Sequence, residues 1–126
     1  MILDSNILIY FVEPGYERLR EYLEQQETEL FASLISKLEV LGYHQLTIVS
    51  RLDLERLLGN MSILPISNSV IDKAIQLRQQ RRRSLGDAII AATALLRNLP
   101  VLNNNVADFS DIEGLQVISL ADVMNA

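Results

Sequence analysis

Short apolar runs alternate with longer amphipathic segments along nearly the whole chain, and this alternation constrains the fold most. The apolar runs, each about as long as a short β-strand, are residues 1–3, 29–32, 63–66, 101–102 and 115–118. The helical patterns cover residues 16–26, 33–42 and 50–60 and two segments that begin near residues 67 and 84, whereas residues 7–12 fit either a strand or a buried helix. Strands separated by helices favour a parallel sheet with helices on both faces.

Serine residues mark the predicted helix starts. Ser33, Ser67 and Ser84 each precede an amphipathic segment, where a hydroxyl can accept a hydrogen bond from the first turn. Ser50 begins a similar capping pattern, which predicts a further helix from residue 50.

Length and composition exclude several classes of protein. The 126 residues suit one domain, which we expect to span residues 1–126. The chain has no cysteine, which excludes disulfide scaffolds, thiolate zinc sites and cysteine nucleophiles, and its single histidine, His44, excludes mechanisms that need two imidazole groups. No apolar stretch is long enough for a membrane helix, and the N-terminus lacks a signal-peptide pattern. We therefore expect a cytoplasmic protein with no membrane partner.

Four acidic residues follow predicted strands or lie early in the next helix. Asp4 ends the first strand, Glu39 lies in the helix after the second, Asp87 begins the alanine-rich helix, and Asp108 follows the strand at 101–102. Ligands of such sheets bind outside the carboxyl ends of the strands, where the strand order reverses. We expect the four carboxylates to meet there.

A divalent cation would make such a cluster tolerable, because clustered carboxylates repel one another strongly. Hard oxygen donors suit Mg²⁺ or Mn²⁺, and a pair of such ions can activate water and stabilise the leaving oxygen in phosphodiester cleavage. The chain has 16 acidic and 11 basic residues, a net charge of −5, which by itself argues against binding a phosphate backbone. Bound cations would reverse the electrostatic field around the acids and so attract a phosphate.

Each acid also has a structural interpretation. Asp87 is the third residue after Ser84, and Glu39 bears the same relation to Ser36, so both fit capping boxes. Asp4 fits a turn after a strand, and Asp108 fits the start of a helical turn.

Four sequence blocks together resemble the PIN-domain family, in particular the VapC-type toxins of bacterial toxin–antitoxin pairs. The blocks, in the family's order, are residues 2–6 (ILDSN), 33–41 (SLISKLEVL), 85–94 (LGDAIIAATA) and 103–109 (NNNVADF). One departure is Asn103, which stands where the family usually has Thr or Ser and puts a hydroxyl contact in that loop in doubt.

The resemblance implies a three-layer α/β/α sandwich with a short parallel sheet and an endoribonuclease activity that depends on Mg²⁺ or Mn²⁺. It further implies an RNA substrate, a homodimer, and a cognate antitoxin whose C-terminal segment fills the active-site groove. The implied catalytic and metal-binding residues are Asp4, Glu39, Asp87 and Asp108. Ser5 would support the first acid and Asn105 the last. The alternative is a catalytically inactive PIN-fold module that binds RNA or protein.

The only basic cluster in the chain is Arg78 with Arg81, Arg82 and Arg83. It fits a solvated helix end, where arginine favours the helix dipole, and equally a contact with an RNA backbone or an antitoxin beside Asp87. The amphipathic segment 50–60 would either cover the protein's own core or present a groove to a partner.

Overall fold

The computed structural model describes residues 1–126, which form five strands and seven α-helices. The strands are β1 (Ile2–Leu3), β2 (Phe31–Ser33), β3 (Ser62–Leu64), β4 (Val101–Asn103) and β5 (Val117–Ser119). The helices are α1 (Ser5–Phe11), α2 (Glu17–Glu24), α3 (Leu34–Leu41), α4 (Ile48–Gly59), α5 (Asn68–Gln80), α6 (Leu85–Arg97) and α7 (Leu120–Met124), with a 3₁₀ turn at Val106–Asp108. The longest helices have 13 residues, and no helix has the length and apolar character needed to cross a membrane.

The strands form one parallel sheet in the order β3-β2-β1-β4-β5. Ile2 in the central strand pairs with Phe31 on one side and Val101 on the other. The chain moves outward from β1 in one direction through β2 and β3 and in the other through β4 and β5. The order therefore reverses at β1, so that a crevice is expected at the carboxyl ends of β1, β2 and β4.

Alternating side chains of the short strands enter two separate cores. Ile2 and Val101 pack with α5 and α6 on one face of the sheet, whereas Leu3 and Leu102 pack with α1, α2, α4 and α7 on the other. Helix α3 contributes to both. In α6 the buried alanines allow close packing against the sheet. The predicted three-layer α/β/α sandwich with a short parallel sheet is confirmed.

Most predicted helix starts are correct. The hydroxyls of Ser33, Ser67 and Ser84 cap α3, α5 and α6, each accepting a hydrogen bond from a backbone N–H of the first turn. The prediction for α4 is wrong: the helix begins at Ile48, and its cap is Thr47, three residues before Ser50, with Oγ1 accepting from the N–H of Ser50 at 3.2 Å. Residues 7–12, which fitted two structures, belong to α1 and its C-terminal cap, because capping by Asp4 starts a helix directly after β1.

Candidate active site at the carboxyl ends of the strands

Asp4 lies directly after β1 and caps helix α1. Its Oδ1 accepts a hydrogen bond of 2.8 Å from the N–H of Ser5. Its own N–H donates to the carbonyl of Leu102 in β4 at 3.1 Å, and only 5% of the residue is exposed. The carboxylate is therefore held in one orientation between the central strand and the first helix.

Asn103, at the end of the neighbouring strand β4, is fully buried and holds the second oxygen of Asp4. Its Nδ2 donates to Asp4 Oδ2 at 2.8 Å, and its Oδ1 accepts from the N–H of Asn105. Because a backbone N–H can only donate, these two contacts define the orientation of the amide. Asn105 Nδ2 donates in turn to Asp108 Oδ1 at 3.3 Å. The amide of Asn103 thus makes a contact at the position where the family usually has a hydroxyl. Together these hydrogen bonds connect Asp4 with Asp108.

Ser5 connects the first acid with Glu39. Its Oγ lies 2.9 Å from Glu39 Oε1 and 2.9 Å from the Oγ of Ser36, which is fully buried. A carboxylate only accepts, so the single hydroxyl proton of Ser5 goes to Glu39, and Ser36 donates to Ser5. Ser36 therefore orients Ser5 and does not cap its own helix.

Gly86 provides the space in which the Glu39 carboxylate packs against α6. A Cβ at Gly86 would lie 2.8 Å from Glu39 Oε1 and 3.0 Å from Oε2. Asp87 is the next residue, in the first turn of α6, and its N–H donates to Ser84 Oγ at 3.1 Å. The close approach at Gly86 places the carboxylates of Glu39 and Asp87 beside the same helix N-terminus.

The four carboxylates form one electrostatic group. Burial and, more weakly, the negative charges of Asp87, Glu39 and Asp108 together raise the pKa of Asp4 to about 6, against the opposing effect of the Ser5 N–H. Side chains from distant parts of the sequence can affect one carboxyl in this way only if they are close in space. The four predicted acids therefore meet at one edge of the sheet.

Asp87 is perturbed in the same direction. Burial is the main cause of its raised pKa, followed by the charge of Asp108 and, more weakly, that of Glu39. The Ser84 hydroxyl and the positive charge of Arg83 act against the shift. The capping interpretation of Asp87 holds for its backbone, while its carboxyl belongs to the acidic group.

The donor set fits a hard divalent cation in its chemistry. All four acids offer oxygen ligands, and the pKa values of Asp4 and Asp87 are raised by burial and by the neighbouring carboxylates, an arrangement that a bound cation would relieve. No three His, Cys, Asp or Glu side chains converge on one point as the ligands of a preformed metal site would. The carboxylates of Asp4, Glu39 and Asp108 are instead oriented by their hydrogen bonds to Ser5, Asn103 and Asn105.

Arg83 does not lie where the sequence suggested. Only 1% of its side chain is exposed, and its guanidinium donates to carbonyl and carboxylate oxygens of the protein. It is therefore unavailable to an RNA backbone or a partner. Arg81 and Arg82 are exposed; Arg81 forms an ion pair with Asp111 at 3.2 Å, and the Arg82 side chain makes no ion pair.

Sequence reasoning missed two contributors to the site, Ser36 and Gly86. Ser36 was visible only as a capping partner of Glu39, and Gly86 only as the residue before Asp87. Both act through contacts between α3 and other elements, which local patterns do not encode.

A short parallel sheet with acidic side chains collected at its carboxyl edge defines a class of small α/β proteins. The PIN domain family model matches residues 1–115, and the chain belongs to this family.

Individual relatives agree with this assignment. The chain is 28% identical over 123 residues to Ribonuclease VapC10 of Mycobacterium tuberculosis, covering 92% of this chain and 90% of that protein. It is 32% identical to a chain of a toxin–antitoxin complex from Klebsiella pneumoniae, with a TM-score of 0.74 over 94% of this chain and 95% of the other. It shares its fold with a chain of VapBC2 from Rickettsia felis bound to promoter DNA, at 20% identity, a TM-score of 0.83 and coverage of 94% and 96%.

Proposed function

We propose that this protein is a divalent-metal-dependent endoribonuclease that cleaves RNA phosphodiester bonds and acts as the toxin of a toxin–antitoxin pair. One observation carries the proposal: a PIN domain in which Asp4, Glu39, Asp87 and Asp108 lie together at the carboxyl edge of the sheet, close enough for the charges of Glu39 and Asp108 to raise the pKa values of Asp4 and Asp87. The ribonuclease name of the M. tuberculosis relative supports the reaction class. Because RNA is the proposed substrate, we also propose that the protein acts in the cytoplasm.

Mg²⁺ or Mn²⁺ would be held by Asp4, Glu39 and Asp87, with Asp108 assisting or holding a second ion. When bound, the cation supplies Lewis acidity for the attack of water on the phosphodiester and attracts a phosphate to an acidic protein. Ser5 orients Glu39, Asn103 orients Asp4, and Asn105 orients Asp108. These neutral donors leave further lone pairs of each carboxylate open to the ion.

We propose an antitoxin protein as partner, by analogy with the K. pneumoniae complex. Helix α4 supports this, because Ile48, Val49 and Leu52 are 78%, 70% and 55% exposed. Such an apolar helix face suits a partner segment. Arg81 and Arg82 would contact the partner or the RNA backbone.

We also propose a homodimer, as the family resemblance implies. A groove of about 400 Å³ between α5 and α6 is lined by apolar side chains that include Ile71, Ile75 and Leu85. These three are 40%, 50% and 61% exposed. Exposed apolar residues grouped in this way favour contact with another protein surface.

Substitution of Asp87 tests the proposed chemistry. We expect D87N to abolish cleavage of single-stranded RNA and to weaken Mn²⁺ binding in calorimetric titration, because one proposed ligand loses its charge. D72N is the matched control: Asp72 is exposed on α5 and forms no ion pair, so cleavage should be unchanged. Cleavage that survives D87N would contradict the proposed chemistry. Mn²⁺ binding without cleavage, or RNA binding without either, would favour the inactive binding module.

A further inference from the structure

Arg83 is a buried arginine that joins helix α5 to the segment carrying Asp108. Its Nε donates to the carbonyl of Leu77 in α5 at 2.9 Å. Its Nη2 lies 2.8 Å from Asp111 Oδ2, and its Nη1 lies 3.4 Å from both Asp111 Oδ1 and the backbone carbonyl of Asp108. The guanidinium thus contacts both helix α5 and the main chain of Asp108, one of the four acids of the candidate site.

The geometry of these contacts requires arginine. The guanidinium presents donors in a rigid fork, which can engage a carboxylate with two nitrogens while a third faces a carbonyl. Lysine would keep the charge but lose this planar arrangement. Asp111 compensates the buried charge, and the Arg83 side chain holds the pKa of Asp111 below its usual range.

The segment held by Arg83 has little regular structure of its own. Between β4 and β5 only the 3₁₀ turn at Val106–Asp108 is regular, and residues 104–107 are exposed. Phe109 and Ile112 are buried and anchor the segment on one side. Arg81 adds a second contact, with Nη1 at 3.2 Å from Asp111 Oδ1. Arg83 is the contact that reaches the backbone of Asp108 itself.

We propose that Arg83 and Asp111 are positioning residues that fix Asp108 relative to Asp87 for metal binding. Arg83 precedes α6 by two residues and lies four residues before Asp87. Because it also contacts the backbone of Asp108, one residue fixes the positions of Asp87 and Asp108 relative to each other. The proposal rests on the proposed function, because it assigns Arg83 an effect on the metal site. Under this proposal Arg83 acts through Asp108 and does not contact RNA directly.

Calorimetric Mn²⁺ titration of four proteins tests this action: wild type, R83K, D108N and R83K/D108N. Outer contacts of metal ligands commonly change affinity by ten- to a hundredfold, and we expect R83K to weaken Mn²⁺ binding about tenfold. In the D108N background the same substitution should cause no further loss, because its target is gone. A merely structural role would lower the melting temperature in both backgrounds and leave the affinity unchanged. Equal weakening in both backgrounds would also overturn the proposal.

Two further variants complete the experiment. R97K is the matched control, since Arg97 is exposed at the C-terminal end of α6 and forms no ion pair, and its Mn²⁺ affinity should equal that of the wild type. D111N weakens the contact between the Arg83 guanidinium and residue 111, and it replaces R83K in the experiment if R83K does not fold. It too should weaken Mn²⁺ binding only when Asp108 is present. If D87N and D108N both leave Mn²⁺ binding unchanged, the proposed metal site fails. If they weaken it while R83K and D111N do not, only the positioning role fails.

Discussion

At the scale of single residues, the site depends on small side chains as much as on its acids. Glu39 is exposed on α3, yet its carboxylate has a defined place because Ser5 donates to it and Gly86 leaves room for it. Gly86 has no unusual backbone conformation, so its role is spatial. A methyl group there would lie 2.8 Å from a carboxylate oxygen of Glu39, which is too close for a carbon atom, so the carboxylate would have to move.

Substitution of Gly86 should separate activity from stability. Alanine is a better helix former than glycine, and the atoms a new Cβ would meet belong to the flexible end of Glu39, so we expect G86A to leave the melting temperature unchanged or slightly raised. Displacement of Glu39 should nevertheless reduce RNA cleavage and Mn²⁺ affinity by about tenfold.

Gly59 supplies the control for this experiment. It ends α4, and a Cβ there meets no atom within 4 Å. G59A should therefore stabilise the protein by up to about 1 kcal/mol and leave cleavage intact. Unchanged cleavage by G86A would show that Glu39 does not need its observed position.

At the scale of secondary structure, hydroxyl side chains decide where helices begin. Thr47 and Ser50 are competing starts for α4, and the structure places the cap at Thr47. We expect T47A to lower the free energy of unfolding by about 1 kcal/mol, because a first-turn N–H loses its acceptor. S50A should change it by less than about 0.5 kcal/mol. Urea denaturation measures both, and a larger effect of S50A would place the helix start at residue 50.

The same comparison shows what local pattern can and cannot predict. Strand positions and three caps follow from the sequence, because a buried strand needs an apolar run and a helix N-terminus needs an acceptor. The start of α4 was missed because Ile48 and Val49 are apolar but exposed, which obscures the helical period. Helix α7 was not predicted either, since its five residues are too few to show a period.

For the site, the sequence predicted which acids would meet but not what orients them. Strand ends are recognisable, and the topology of a parallel sheet brings them to one edge. The burial of Arg83, by contrast, depends on Asp111 in a distant loop. The arginine cluster therefore suggested that Arg83 contacts RNA or a partner, whereas in the fold Arg83 contacts Asp111 of its own chain.

At the scale of the whole molecule, folding collects like charges from four distant parts of an acidic chain. The pKa of Asp4 reflects this environment: burial first, and then the charges of the other three acids, raise it to about 6 in the folded protein, against 3.8 for an unperturbed carboxyl. The folded state therefore binds this proton more tightly than the unfolded chain. The resulting stabilisation is fully present below pH 4, decreases as the pH rises towards 6, and is lost above it. A shift of this size corresponds to about 3 kcal/mol.

The difference in unfolding free energy between wild type and D4N isolates this effect, because asparagine does not titrate. In metal-free buffer we expect wild type to lose about 2 kcal/mol relative to D4N between pH 4 and pH 7. In D4N an amide donor would face Asn103 Nδ2, which lowers the stability of this variant. That loss does not depend on pH, so it shifts the difference in unfolding free energy by a constant. Saturating Mn²⁺ at pH 7 should stabilise the wild type, by about 2.7 kcal/mol at a hundred times the dissociation constant, and D4N much less. Urea denaturation at each pH, with and without Mn²⁺, measures all four values. A difference that does not change with pH would mean that burial and the neighbouring carboxylates do not raise the pKa of Asp4 in the folded protein.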